Sequence, residues 1–206
     1  DAGGNTFTYI SVIPQLDERC TINILNGSAR VQEDGSFTLR TPLSTDVPYR
    51  ARAICDYDGD IVYGESALLC GVPNGETAVG EIFFDQFHPI PVSLSLQVST
   101  TQLDVNTPVV ALTALAQLPN GTEANLTSAS SGTVYASSSD VVTVSEDGMV
   151  TALRSGHAIV SARHEGVMAS VEFDVFFPVD TDSDGMPDDY EIRNGLDPAS
   201  AADGQA

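Results

Sequence analysis

The chain is 206 residues long and carries 29 Asp and Glu against 8 basic residues, a net charge of −21. That balance argues against nucleic acid and anionic lipid surfaces, both of which are held by cationic side chains. No apolar run is long enough to span a bilayer as a helix, and all eight basic residues are arginine.

Residues 1–87 read as short strands separated by turn signals. Phe7-Thr-Tyr-Ile-Ser-Val12 is the first, and Cys20-Thr-Ile-Asn-Ile24 alternates with Cys20, Ile22 and Ile24 on one side. Arg30-Val31 and Phe37-Thr-Leu39 flank Glu33-Asp34-Gly35-Ser36, the pattern of a hairpin. Tyr49, Ala51, Ala53 and Cys55 share a face, Asp58-Gly59 turns the chain into Ile61-Val-Tyr63, and Leu68–Val72 and Val79–Phe84 finish the set. About seven strands without a helical period predict a β-sandwich. The aromatic residues of this region (Tyr9, Phe37, Tyr49, Tyr57, Tyr63) are expected to fill its core.

The three cysteines, Cys20, Cys55 and Cys70, all fall here. Alternation puts Cys20 and Cys55 on the inner face of their strands and favours a bridge between them. Three buried thiols are the alternative, since free cysteine packs as a small hydrophobe. There is no Cys-x-x-Cys or histidine pair of the kind zinc needs.

Asp85-Gln-Phe-His-Pro-Ile-Pro91 carries two prolines, and residues 88–91 are expected to form a short, stiff linker. From Val92 the alternation sharpens. Val92, Leu94, Leu96 and Val98 form one stripe. Val110, Leu112, Ala114, Ala116 and Leu118 form a second, read as a single strand that ends at Pro119-Asn-Gly-Thr122. Val142–Val144, Met149–Leu153, Ala158–Ala162 and Ala169–Val175 complete the region to residue 177.

The final stretch is Asp180-Thr-Asp-Ser-Asp-Gly-Met-Pro-Asp-Asp-Tyr-Glu191. Carboxylates at positions 1, 3, 5, 9 and 12, with glycine at 6, match a twelve-residue calcium loop. The predicted ligands are Asp180, Asp182, Asp184, Asp188 and Glu191, with the Met186 carbonyl at position 7. Oxygen-only donors select a hard cation, so calcium is the expected cofactor. Val175-Phe-Phe-Pro-Val179 before the loop is strand-like, and only the exit side, Asp188 to Asn194, reads as helical, stopped at Asn194-Gly195. Residues 178–206 thus form a calcium-binding tail.

Three resemblances follow from these motifs. Ser137-Ser-Ser-Asp-Val-Val-Thr-Val-Ser145, Asp147-Gly-Met-Val-Thr-Ala152 and Ser155-Gly-His-Ala-Ile-Val-Ser-Ala162 make residues 92–177 resemble the group 2 bacterial immunoglobulin-like domain, with Tyr135-Ala136 where that family often carries tryptophan. Residues 180–198, down to Asn194-Gly195-Leu196-Asp197-Pro198, resemble the one-helix calcium repeats of thrombospondin type 3 and dockerin-like modules. Ala29–Tyr57 is similar to a transthyretin-like, carboxypeptidase-regulatory sandwich, with a fibronectin-like sandwich as the alternative.

The expected fold class is therefore all-β: two β-sandwich domains in tandem, then a short calcium loop with a single helical turn. The resemblances imply a fragment of a larger secreted or cell-surface bacterial protein. It would act as a non-catalytic spacer or adhesive segment whose partners are neighbouring modules of the same polypeptide. The alternative is an accessory module for carbohydrate or a surface protein, attached to a distant catalytic or toxin domain, which an exposed aromatic patch on the first domain would favour. His88, His157 and His164 sit at no recognisable catalytic spacing, so no enzyme is expected.

Overall fold

A computed structural model describes residues 15–25, 27–40, 46–72, 76–84 and 86–202, with the side chains of residues 189, 190 and 193 excepted. The strand expected at Phe7–Val12 lies outside the described residues. The fold is all-β: among the described residues there are 15 strands, one 3-10 turn and one short helix. It divides into two compact units, residues 1–92 with 118–122 and 164–167, and the remainder.

In the first unit, apolar alternation builds one five-stranded antiparallel sheet. Its strands are β1 (Cys20–Ile24), β2 (Gly27–Arg30), β3 (Arg52–Tyr57), β4 (Asp60–Ser66) and β5 (Ile82–Phe83), in the order β2-β1-β3-β4-β5. One face is the core, where Cys20, Ile22, Ile24, Ala51, Ala53 and Cys55 are buried. Leu16, Phe37, Leu39, Leu69 and Val79 pack over them from segments that are not strands.

Two expectations are corrected here. Phe37–Leu39 forms no strand, and the partner of β1 across the hairpin is Gly27–Arg30. Leu68–Val72 contributes only an isolated bridge, Tyr49 to Leu69. In both segments the side chains cover the sheet while the backbone stays off the ladder. The Glu33–Ser36 turn does form, with Gln32 N–H donating to Ser36 O at 2.8 Å.

Gly64 is a close-approach glycine. A Cβ there would stand 2.8 Å from Ile82 and 2.9 Å from Phe84, so a side chain would push β5 and Phe84 off the sheet.

The expected bridge is present between Cys20 and Cys55, which are direct partners in register, and Cys70 is free and exposed. Asp56 N–H donates to Arg19 O, which makes Cys20–Cys55 a non-hydrogen-bonded pair, the closer of the two antiparallel pair types. Their Cα atoms are 4.0 Å apart, just below the usual ~4.4–6.8 Å range for a bridge.

The second unit contains β6 (Ser93–Gln97), β7 (Gln102–Asp104), β8 (Val109–Ala111), β9 (Thr113–Gln117), β10 (Glu123–Asn125), β11 (Val134–Ser137), β12 (Val142–Val144), β13 (Met149–Ala152), β14 (Gly156–His164) and β15 (Val167–Phe176). Three sheets result, ordered β10-β9-β6, β11-β14-β15-β7 and β12-β13-β8, and β15 runs parallel to β7. Leu103, Leu112, Val142, Val150, Val160 and Phe173 form their shared core.

The stripe from Val110 to Leu118 is not one strand. It breaks at Leu112, which is buried and donates its N–H to Gly148 O. Val109–Ala111 pairs with β13, whereas Thr113–Gln117 pairs with β6 and β10. The period of two survives the change of sheet, so alternation alone could not reveal it.

Candidate metal centre

Strand β15 ends at Phe176, and Pro178, with no N–H to donate, prevents its continuation,. The loop that follows is shaped by its own aspartates. Asp180 accepts from Ser183 N–H at 2.8 Å through Oδ1 and from Gly185 N–H at 3.1 Å through Oδ2. Asp182 Oδ1 accepts from Asp184 N–H at 3.2 Å, and Asp184 Oδ1 from Met186 N–H at 2.8 Å. Short acidic side chains that bond the backbone two or more residues on are the usual means of folding such turns. Gly185, at φ 97°, takes a conformation that costs a residue with a Cβ, as the sixth position of the motif requires,.

One carboxylate oxygen from each of Asp180, Asp182 and Asp184 lies within 4.8 Å of the others. At an effective dielectric of ~20, two unit charges that far apart repel by roughly 3 kcal/mol. Asp184 Oδ2 is buried and accepts no hydrogen bond among the described residues. A shielded oxygen with a spare lone pair, inside a group of three carboxylates, fits a hard cation with oxygen ligands.

The other three predicted positions are placed differently. Asp188 stands outside the group of three. Its oxygens accept from the Thr181 N–H at 2.7 Å and the Thr181 hydroxyl at 2.6 Å, so in this arrangement it ties the start of the loop to its end. Glu191 is fully buried, with both carboxylate oxygens shielded. For Met186 the observed bond is that of its N–H to Asp184.

The helix α1 (Asp188–Asn194) forms where expected. It ends at Gly195 (φ 74°), where Leu196 N–H bonds Glu191 O and Gly195 N–H bonds Ile192 O. That pairing is a Schellman cap, and it fixes the backbone of Glu191 from its C-terminal side.

A second cluster of charge, in the first unit, was not anticipated. Glu65 is nearly inaccessible, with Arg50 Nε 3.5 Å from its Oε1 and the His88 ring Nδ1 against the same oxygen. Its Oε2 accepts the His88 N–H at 2.7 Å, and Arg52 donates to His88 O at 2.9 and 3.2 Å. Residues 164–167, the last of β14, the turn and the first of β15, belong to the first unit and add Glu165, whose Oε2 is 2.6 Å from Arg52 Nη2. Residue 88, expected in a short, stiff linker, is thus bonded to the sheet. Alternation places Arg50 and Arg52 together, but only the tertiary structure supplies their acids. Burial pushes the His164 imidazole below its usual range, against the opposing pull of the Glu165 charge.

One aromatic residue is also placed against expectation. Tyr63 is 48% exposed and meets the ring of Phe87, itself 48% exposed, at 5.3 Å between centroids. Tyr49, Tyr57 and Phe37 do pack on the core.

No protein-family model matches the chain, and no curated protein is similar to it in sequence. Among solved structures it is similar to the S-layer protein rSbsC(31-844), at 14% identity and a TM-score of 0.37 over 80% of this chain and 38% of that one. It is also similar to surface layer protein SbsC, domains 1-6, at 13% identity and a TM-score of 0.38 over 80% of this chain and 37% of that one. A third likeness, to SbsC domains 4 and 5, has 14% identity and a TM-score of 0.32 and covers 80% and 74%. The chain therefore spans less than two fifths of the first two. Likeness of this grade carries no argument about function, and what stands established is the class: an all-β protein of two compact units.

Proposed function

We propose that this chain is a non-catalytic segment of a secreted or cell-surface bacterial protein, a spacer or adhesive region stiffened by calcium. The observation that carries the reading is the convergence of Asp180, Asp182 and Asp184 within 4.8 Å, with a buried Asp184 oxygen left over for a ligand. Calcium would take these carboxylates, the Met186 carbonyl and Glu191, with Asp188 joining directly or through water as position 9 of such loops often does. It would replace mutual repulsion with attraction and hold the end of β15 to α1. The group 2 bacterial immunoglobulin-like identity of residues 92–177 and the dockerin-like identity of residues 180–198 belong to the same proposal. They rest on the sequence motifs.

Part of the binding energy goes into ordering the loop, so the dissociation constant should be on the order of 10⁻⁴–10⁻³ M, as in extracellular modules. Calorimetric titration of the chain and of Asp184→Ala tests this. Saturable calcium binding that the substitution abolishes, with protection of residues 180–196 from protease, is the expected result. Equal binding by both proteins would end the proposal.

A second reading, an accessory module for a protein or carbohydrate, is favoured by the exposed Tyr63–Phe87 pair.

A further inference from the structure

The five-stranded sheet of the first unit buries one face; on the other, Arg52 and Glu65 are covered by His88 and Glu165, and the remainder is open among the described residues. In register across that open face stand Arg30 of β2, Thr21 of β1, Ile54 of β3 and Tyr63 of β4, with the Phe87 ring against Tyr63. Ile61 lies two residues before Tyr63 on the same face, opposite Asp56, and Phe83 lies opposite Glu65. Ile54, Ile61, Tyr63, Phe83 and Phe87 are each 40–48% exposed. Ile54 and Tyr63 oppose each other directly, which puts their Cβ atoms ~4.5–5.5 Å apart, and with Ile61 and the Phe87 ring they form an apolar strip over β3 and β4, while Phe83 stands beside the buried Glu65.

The other half of the face is polar. A shallow cavity of 340 Å³ is lined by Glu18, Arg19, Thr21, Arg30, Asp56 and Asp58. Thr21 and Asp56 border both the cavity and the strip. Arg19 is already committed: it bonds both oxygens of Asp17 and stacks over Tyr57 at 4.2 Å. That leaves three lining carboxylates against one other guanidinium, Arg30, and Asp60 adds a further acid at the β3–β4 turn.

We infer that this face docks an extended segment of another protein that carries apolar side chains followed, on the same side, by a lysine or arginine. The inference rests on the binding-module reading. A sugar fits the strip poorly, because the Tyr63 and Phe87 rings are tilted by 50° and offer no flat platform, and because Ile54 and Ile61 occupy the rest of it. A second copy of this chain would set acid rim against acid rim in a molecule of net charge −21, which like-charge contact disfavours.

Geometry sets the pattern of the partner. Neighbouring strands are ~4.8 Å apart and an extended chain rises ~3.3 Å per residue. The step from Tyr63 on β4 across two strands to the cavity at β1 is therefore ~10 Å, three to four residues, and only four keeps the side chain on the same side. With alternate side chains on one face, apolar–x–apolar–x–basic spans strip and cavity. The basic group sits among Glu18, Asp56 and Asp58 while the apolar pair covers Ile54 and Tyr63.

The test uses the full chain labelled for NMR and two synthetic twelve-residue peptides. One alternates Tyr and Leu with Lys at every third same-side position, and the other has Glu in place of Lys. The Lys peptide should shift the amides of Ile54, Ile61, Tyr63 and Phe87, and the Glu peptide should not. Tyr63→Ser should weaken binding about tenfold, as loss of an aromatic anchor does. Asp58→Asn, at a φ of 59° that asparagine tolerates, should flatten the salt dependence. Undiminished binding of the Lys peptide by Tyr63→Ser would reveal charge attraction alone and overturn the inference. Shifts of the same amides by cellohexaose, with none from the Lys peptide, would overturn it while leaving the module reading in place. Wild-type dimers that Tyr63→Ser converts to monomers would overturn it in favour of self-association. Silence with both probes and no dimer would remove inference and reading together.

Discussion

Two places in this molecule gather shielded carboxylates, and they settle their charge differently. Around Glu65 the fold itself supplies the counter-charges: Arg50 and the His88 ring stand against one oxygen, and a backbone N–H bonds the other. In the 180–191 loop, Asp180, Asp182 and Asp184 converge, and each accepts from a backbone N–H. The first cluster is closed electrostatically and should behave as a structural fixture. The second keeps an open oxygen on Asp184, and on the function proposed above it should answer to a divalent cation of the medium. Carboxylates serve architecture in the first place and are proposed to serve ligation in the second because of what lies within bonding distance.

Removing the centre of the closed cluster should have the largest effect. Glu65→Ala leaves the Arg50 guanidinium, 11% exposed, with only the longer 4.0 Å pairing to Glu165, and breaking a buried pair in this way costs up to about 3–5 kcal/mol. Thermal unfolding followed by circular dichroism should show the loss equally with and without calcium. Dependence on calcium would mean that the two clusters are coupled and the contrast is wrong.

The open cluster should respond to the ion and to little else. At a calcium concentration tenfold above the dissociation constant, stabilisation should be about 1.4 kcal/mol. Hydrogen exchange of residues 180–196 should slow while that of β1–β4 stays the same. If β1–β4 slow as well, calcium acts outside the loop.

A smaller effect of opposite sign is expected without calcium. Asp184→Asn keeps an oxygen that can accept the Met186 N–H but removes one of three mutually repelling charges. Proteolysis of the metal-free loop should slow by an amount corresponding to about 0.2–1 kcal/mol, the usual scale of partly exposed charge pairs. Faster cleavage would show that repulsion does not govern the free loop.

Acid should weaken the closed cluster most gently of all. His164 is held below the ordinary histidine value of 6.5 by burial, with Arg50 and Arg52 acting the same way and Glu165 opposing. The unfolded chain therefore takes up a proton where the folded one does not. The stability this position allows is complete above 6.5 and declines as pH falls below it, down to the folded-state value. His164→Gln should flatten that decline in melting curves taken from neutral pH to about pH 5. An unchanged slope would place the titration elsewhere.

The sequence by itself determined the elements whose causes are local. Alternation located most strands, and it placed Cys20 and Cys55 on the inner face, where they are bonded. The Asp-x-Asp-x-Asp-Gly spacing located a loop in which three aspartates converge, and Asn194-Gly195 located the end of the only helix among the described residues. Tertiary structure alone decided the features that depend on a partner distant in the chain. It kept Phe37–Leu39 off the ladder as a cover for the sheet, and it divided one alternating stripe between two sheets at Leu112. It gave Asp188 to Thr181 rather than to the group of three, bonded His88 to Glu65, and left Tyr63 on the open face. A period of two says which side chains share a face, but not which strand, side chain or solvent that face will meet. That choice is made by packing between residues far apart in sequence.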